Sequence, residues 1–165
     1  MMSPPAADRF PAFPRSWYFF CRGRELSRKP LARDLLGRRL VAYRTTSGQA
    51  VLLDARCSHL GADLGKGTVV GDALQCPFHH WEYGPDGRCC RIPCTSEIPS
   101  FARQASFPVV ERHGHVFFFN APEATFPLPF FPDEDPAEFI AASPFWTTLD
   151  CPWYMIGAKI GRAHV

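Results

Sequence analysis

The stretch CSHLGADLGKGTVVGDALQCPFHHWEY, Cys57 to Tyr83, decides how this chain is read. It opens on a cysteine and a histidine one residue apart. After sixteen residues between, it reaches a second pair, Cys76 and His79, separated by Pro77 and Phe78. Each pair follows an apolar run, AVLLD (Ala50 to Asp54) for the first and ALQ (Ala73 to Gln75) for the second. Two fingertip loops that close on one another would present two thiols and two imidazoles to a single point.

Working outward, the flanking text alternates short apolar runs with turn residues. SWYFFC (Ser16 to Cys21), RRLVAYRT (Arg38 to Thr45) and AVLLD read as strands, the last two joined around Ser47-Gly48. GTVV and ALQC flank Gly71-Asp72 in the same way, both pairs being hairpin signals. Pro85-Asp86-Gly87 marks a turn, and SFPVVERHGHVFFFN pivots near His113-Gly114. Turn signals recur roughly every eight to twelve residues, and nothing from 16 to 120 carries a helical period. The fold expected is all-β, built from short antiparallel strands with the Cys/His loops at hairpin tips.

Composition agrees with that reading. Seventeen prolines and twelve glycines suit many turns, while 46% hydrophobic and 14% aromatic content allows one real core in 165 residues. No stretch approaches eighteen apolar residues, so no transmembrane helix is expected. Residues 1–15 lack the layout of a signal peptide and read as a flexible leader. Seven cysteines without an export signal favour reduced or metal-bound thiols in a cytoplasmic protein. The net charge is +2, but eight Lys or Arg crowd Arg22 to Arg44 against Glu25 and Asp34. That run reads as a solvated face or as a docking surface for an acidic partner. It carries no basic helix or binding motif, so nucleic acid is not an expected partner.

The order Cys-x-His then Cys-x2-His departs from the usual zinc finger, in which cysteines pair first and histidines later. It fits a cluster with cysteines on one iron and histidines on the other, the ligand set of Rieske [2Fe–2S] centres. A structural Cys2His2 zinc site is the alternative. Gly61, Gly65 and Gly67 after the first pair give the backbone freedom to fold over a cluster and aim N–H groups at sulfur, and Pro77 stiffens the second loop.

From about Ser16 to Asn120 the chain resembles the Rieske domain of the ring-hydroxylating, non-haem iron oxygenases, in the pattern C-x-H-x16-C-x2-H. The resemblance implies Cys57 and Cys76 on one iron and His59 and His79 on the other. HLGADL, CPFH, DGRCCRIP and IPSFA are similar to the branch acting on steroids, such as 3-ketosteroid hydroxylases and sterol desaturases. Oxygenases commonly carry Arg after the first histidine and Gly after the second, where this chain has Leu60 and His80. Rieske proteins of respiratory cytochrome bc complexes instead carry an extra cysteine in each loop, forming a disulfide, and a serine bonding a bridging sulfide. Here Ala62, Phe78 and Trp81 stand at those positions. A midpoint near the lower end of roughly −150 to +300 mV is therefore expected. Tyr83 matches a tyrosine that bonds a ligand thiolate in the bc type, where it raises the potential.

The resemblance further implies electrons from an NAD(P)H-dependent reductase or ferredoxin and a small organic substrate, aromatic or steroid-like. It also implies a ring-like homotrimer and a mononuclear non-haem Fe(II) site in an α+β catalytic domain. That second site needs two histidines and a carboxylate after a strand like DCPWYMIGA. Residues 121–158 read as a proline-rich linker, a short helix from Pro136 to Ala142 and the truncated start of that domain. IGRAHV, Ile160 to Val165, reads as translated sequencing adapter, so 159–165 are expected to be non-native and the native text to stop at Ala158. An intact parent oxygenase is the reading; a standalone Rieske ferredoxin is the rival.

The remaining candidates have plainer readings. Cys89, Cys90 and Cys94 follow a turn without a nearby histidine and read as incidental thiols. His113 and His115 read as an exposed hairpin end, and His80 as a solvent-facing side chain. Trp17, Trp146 and Trp153 are expected to pack cores, and Trp81 to shield the cluster from water.

Overall fold

The computed structural model describes residues 13–27 and 29–129. They form eleven strands: β1 (Trp17–Arg22), β2 (Leu31–Leu35), β3 (Arg38–Arg44), β4 (Ala50–Asp54), β5 (Thr68–Val70), β6 (Ala73–Gln75), β7 (Glu82–Tyr83), β8 (Cys89–Arg91), β9 (Ser106–Phe107), β10 (Val109–Arg112) and β11 (His115–Phe119). Among the described residues the only helical pieces are single 3-10 turns at Gly23–Glu25 and Leu64–Lys66. The strands make three antiparallel sheets, ordered β1-β11-β10, β2-β3-β4-β9 and β5-β6-β7-β8.

The β2-β3-β4-β9 sheet is buried on both faces, which explains why LVAY and VLL run as continuous apolar text instead of alternating with polar residues. Leu40, Ala42 and Leu52 point into one core with Phe20, Leu26, Phe107, Val116 and Phe118. Their neighbours Val41, Tyr43, Val51 and Leu53 point into the other, with Leu64, Leu74, Trp81, Tyr83 and the thiols Cys57 and Cys76. Tyr43, fully buried, crosses that second core and donates from its hydroxyl to the Asp72 carbonyl at 3.1 Å. The cluster-loop sheet is thereby tied to the central one.

Aromatic cross-strand pairs hold the first sheet: Trp17 opposite Phe119, Tyr18 opposite Phe118 and Phe19 opposite Phe117. A register shift between Phe19 and Cys21 turns consecutive residues Phe20 and Cys21 inward. Burial, reinforced by Glu25 and Glu111, pushes the Cys21 thiol up to about 12, so it packs as a neutral side chain. Trp17 donates its indole N–H to the Phe126 carbonyl at 2.9 Å, and the Phe126 ring packs edge-on against Phe119. The proline-rich segment therefore folds back on the domain there.

Two features were absent from the sequence reading. β2, LARDL, mixes charges into the strand and looked like part of a solvated basic run. Its hairpin to β3 turns at Leu36 and Gly37, both at positive φ (54° and 70°), and a leucine gives no turn signal. The basic run is largely spent on internal pairing. Arg33 pairs with Glu25 at 2.8 Å, and Arg39 with Asp34 at 2.8 Å and Asp63 at 2.9 Å. Arg38 lies over the Phe107 ring at 5.5 Å. The helix at Pro136–Ala142, the strand around DCPWYMIGA, Trp146, Trp153 and the 159–165 tail lie outside the described residues.

Arg44 joins two sheets. Its guanidinium meets both carboxylate oxygens of Glu111 on β10 (2.9 and 3.1 Å) and the carbonyls of Gly48 and Gly23. Arg44→Met is expected to lower stability by about 1–2 kcal/mol, read as a drop of several degrees in the melting midpoint.

Candidate metal centre

The two Cys/His loops are built alike. In the first, the Cys57 N–H donates to the Ala62 carbonyl (2.9 Å) and the Gly61 N–H returns to the Cys57 carbonyl (2.8 Å). In the second, the Cys76 N–H donates to the Trp81 carbonyl (2.8 Å) and the His80 N–H returns to the Cys76 carbonyl (3.2 Å). Each cysteine thus closes a turn with the residues four and five positions on. The residue four on is left-handed in both, Gly61 at φ 73° and His80 at φ 58°. Glycine takes that conformation freely, whereas a side chain is strained there. This is the physical reason a glycine suits the position His80 occupies. Gly65 and Gly67 serve a different purpose from the one expected: their backbones are not left-handed, and a Cβ would collide with Ala32 and with the Gln75 carbonyl respectively.

The turns sort their donors by side. Cys57 and Cys76 are buried, while His79 is exposed and His59 half-exposed. The two thiols share one buried core. The two imidazoles face each other with Nδ1 atoms 3.1 Å apart, and two imidazole nitrogens on one tetrahedral ion at about 2.1 Å would stand about 3.4 Å apart. The thiols share the core, and imidazole meets imidazole at its edge. Among the described residues, no three His, Cys, Asp or Glu side chains converge as a single-ion site. Two two-donor halves suit a dinuclear cluster better than one tetrahedral zinc.

Surrounding side chains fix each half. Trp81, buried, stacks its indole face to face on His59, with centroids 4.4 Å apart and planes 4° off parallel. Phe78 packs on His79 at 3.9 Å. Tyr83 Oη lies 3.1 Å from Cys57 Sγ and 3.0 Å from Ser58 Oγ. Burial and the neighbouring Cys57 raise the Tyr83 phenol, keeping it protonated and a donor. Burial also raises the Cys76 thiol, and the backbone N–H groups of Phe78 and His79 oppose that shift.

Braces hold the loops from outside. Arg39 on β3 donates from Nε to Asp63 (2.9 Å), whose other oxygen accepts the Gly65 N–H (2.9 Å) at the start of the 3-10 turn. Gln75 and Glu82, opposite each other at the base of the second loop, bond at 3.0 Å, and Arg91 closes on Glu82 at 2.7 Å. His80 Nδ1 reaches Gln75 Oε1 at 3.3 Å. Ser58, Arg39, Asp63 and Gln104 formed no part of the sequence reading, because each acts by proximity across the fold. Of the incidental thiols, Cys89 packs in the same core as Cys57 and Cys76. Cys89 is buried and Cys90 and Cys94 exposed, with Cys89 Sγ donating to the Arg91 carbonyl and Cys90 Sγ to that of Glu82 (3.4 Å each). His115 Nδ1 lies 2.8 Å from the His113 carbonyl at its hairpin end. Leu60, Phe78 and Phe101 are exposed.

An all-β domain that offers buried thiols and outward imidazoles from two matched loops defines a class of iron–sulfur electron carriers. The chain belongs to the Rieske [2Fe-2S] domain family, whose model matches residues 16–102. Aminopyrrolnitrin oxygenase PrnD of Pseudomonas fluorescens is 41% identical over 69% of this chain and 34% of its own length. The oxygenase component of 3-ketosteroid-9-alpha-monooxygenase of Rhodococcus rhodochrous is 40% identical over 71% and 31%. Cholesterol 7-desaturase nvd of Xenopus laevis is 42% identical over 65% and 24%. The solved structure of apo dicamba monooxygenase superposes with a TM-score of 0.67 at 35% identity, over 71% of this chain and 38% of that one. The chain thus spans about a third or less of the length of these curated relatives.

Because His80 sits left-handed and outside the matched donor pairs, His80→Gly is expected to leave the visible spectrum of the cluster-loaded protein intact. It should also raise the melting midpoint by a few degrees, corresponding to roughly 1 kcal/mol of relieved strain.

Proposed function

We propose that Cys57 and Cys76 hold one iron of the [2Fe-2S] cluster, that His59 and His79 hold the other, and that the domain feeds electrons to an oxygenase. When bound, the cluster supplies one-electron storage and transfer. The observation that carries the assignment is the sorting of donors, both thiols buried in one core and the two outward imidazoles meeting each other. His59 and His79 give the electron its way in and out at the surface, while Trp81 excludes water behind them. The Phe78 and His79 N–H groups and the Tyr83 phenol offset negative charge on the two sulfurs.

The partner on the electron-donating side is an NAD(P)H-dependent reductase or ferredoxin. On the receiving side is a mononuclear non-haem iron in the remainder of a longer protein, where O2 is used to hydroxylate or desaturate an aromatic or steroid-like substrate. The names of the relatives support this reading: two oxygenases and a sterol desaturase. The exposed Leu60, Phe78 and Phe101 suit contact with another subunit, in keeping with a homotrimer. No helix among the described residues is long and apolar enough to cross a membrane, and we place the protein in the cytoplasm.

Reconstitution of the purified chain with iron and sulfide tests the ligand set. A [2Fe–2S] spectrum with a rhombic EPR signal on reduction is expected, lost in Cys57→Ala, Cys76→Ala, His59→Ala and His79→Ala alike. A colourless protein that binds one zinc ion would overturn the assignment. The midpoint potential is expected near the lower end of the Rieske range, roughly −150 mV. Tyr83→Phe should lower it by about 20–60 mV, the equivalent of one hydrogen bond to sulfur; an unchanged midpoint would remove Tyr83 from the tuning of the centre.

A further inference from the structure

Gln104 lies two residues beyond the segment matched to the family and far in sequence from the Cys/His loops, yet its side chain is buried against the first of them. Its amide is assigned from its partners. The NH2 group donates to the Arg56 carbonyl at 2.8 Å and the side-chain carbonyl accepts the Ser58 N–H at 2.7 Å. The two bonds grip the backbone on either side of Cys57.

Gln104 is itself anchored from behind. Its N–H donates to the Gly87 carbonyl at 2.7 Å, and its own carbonyl packs so closely on Gly87 that a Cβ there would collide with it. Gly87, at φ 80°, closes the Pro85-Asp86-Gly87 turn. Glycine is required there twice over, for its left-handed backbone and for this approach. Gln104 therefore straps the β7–β8 turn to the loop that carries Cys57.

The consequence follows from the polarity of the hydroxyl chain. As a thiolate, Cys57 Sγ can only accept a hydrogen bond, so the Tyr83 O–H donates to it. The phenol oxygen is then left to accept from the Ser58 O–H, which stands 3.0 Å away. Ser58 reaches Tyr83 from the backbone position that Gln104 fixes. A hydrogen bond to a ligand sulfur stabilises the extra negative charge of the reduced state and raises the potential.

We propose that Gln104 is a positioning residue for the cluster: by gripping the peptide groups on both sides of Cys57, it aligns the Ser58–Tyr83–Cys57 chain and holds the midpoint potential up. The proposal rests on the assignment of Cys57 as a ligand.

The test is redox titration of the reconstituted full-length chain, with EPR g-values and melting midpoints recorded alongside. Gln104→Leu should lower the midpoint by the equivalent of a threefold to tenfold change in the reduced-to-oxidised ratio, the worth of about one hydrogen bond. In the Tyr83→Phe background, Gln104→Leu should produce no further shift. Ser58→Ala, which leaves the backbone grip intact, should lower the midpoint on its own and stands in if Gln104→Leu does not fold. An unmoved midpoint in Gln104→Leu, a shift fully additive with Tyr83→Phe, or an unmoved midpoint in Ser58→Ala overturns the proposal. A wild-type chain that takes up no cluster overturns the ligand assignment and this proposal with it; a normal wild-type cluster with unmoved variants overturns the proposal alone.

Discussion

Two thiols sit in the core while the imidazoles two and three residues further along the chain reach solvent, and the rest of the domain is organised around that split. A thiolate in apolar surroundings is costly unless a metal or hydrogen bonds offset its charge. Cys57 and Cys76 are accordingly set into the same core as Val41, Tyr43, Leu53 and Leu74. There they are met by the Tyr83 hydroxyl and by backbone N–H groups. The central sheet makes this possible. Because it is covered on both faces, it is a stiff floor from which β3 and β4 can brace one loop and Tyr43 can reach across to the sheet that carries the other.

The matched turns account for the spacing of the Cys/His pairs. Both cysteines close the same hydrogen-bonded ring, with donors and acceptors four and five residues on. The histidine is taken from two positions on in the first loop and three in the second. One residue of offset on a common turn changes the direction from which each imidazole arrives, so two nearly equal loops deliver rings that meet tip to tip instead of clashing. His80 is the place where local preference yields to this geometry. The turn needs a left-handed residue, the chain supplies a histidine, and the bonded ladder of Gln75, Glu82 and Arg91 at the loop base holds it there.

The sequence carried the parts of this design that are written in residue type at short range. The Cys/His quartet, the glycine-marked hairpins at Gly48 and Gly71, the Pro85-Asp86-Gly87 turn and the apolar strands were all legible, because each depends on neighbours a few residues away. β2 was not, since its charges are neutralised by Glu25 and by Arg39, which belong to other elements. The Leu36 turn was hidden because its conformation is imposed by strand pairing and not by the residue. Gln104 and Ser58 were invisible for a deeper reason. A buried amide gripping two peptide groups leaves no periodicity or spacing, and only the fold brings residue 104 to residue 57. The two roles given to the glycines after His59 show the same limit from the other side, for the residue type was a correct signal of constraint while the cause, close approach at Gly65 and Gly67, was tertiary.

The stacking of Trp81 on His59 bears on how fast a charge can move. An imidazole lying 4.4 Å above a buried indole, within 4° of parallel, has no room to swing when the charge beside it changes, and the indole cannot yield because the core holds it. Exposed histidines would otherwise be free to reorient with the surrounding water at every change of oxidation state. With the proposed cluster bound at His59, clamping the ring would lower the reorganisation energy on the solvent side of the centre, much as preorganised dipoles spare an active site the cost of moving at the moment of reaction. The domain thereby keeps its donor accessible to a partner without making it soft.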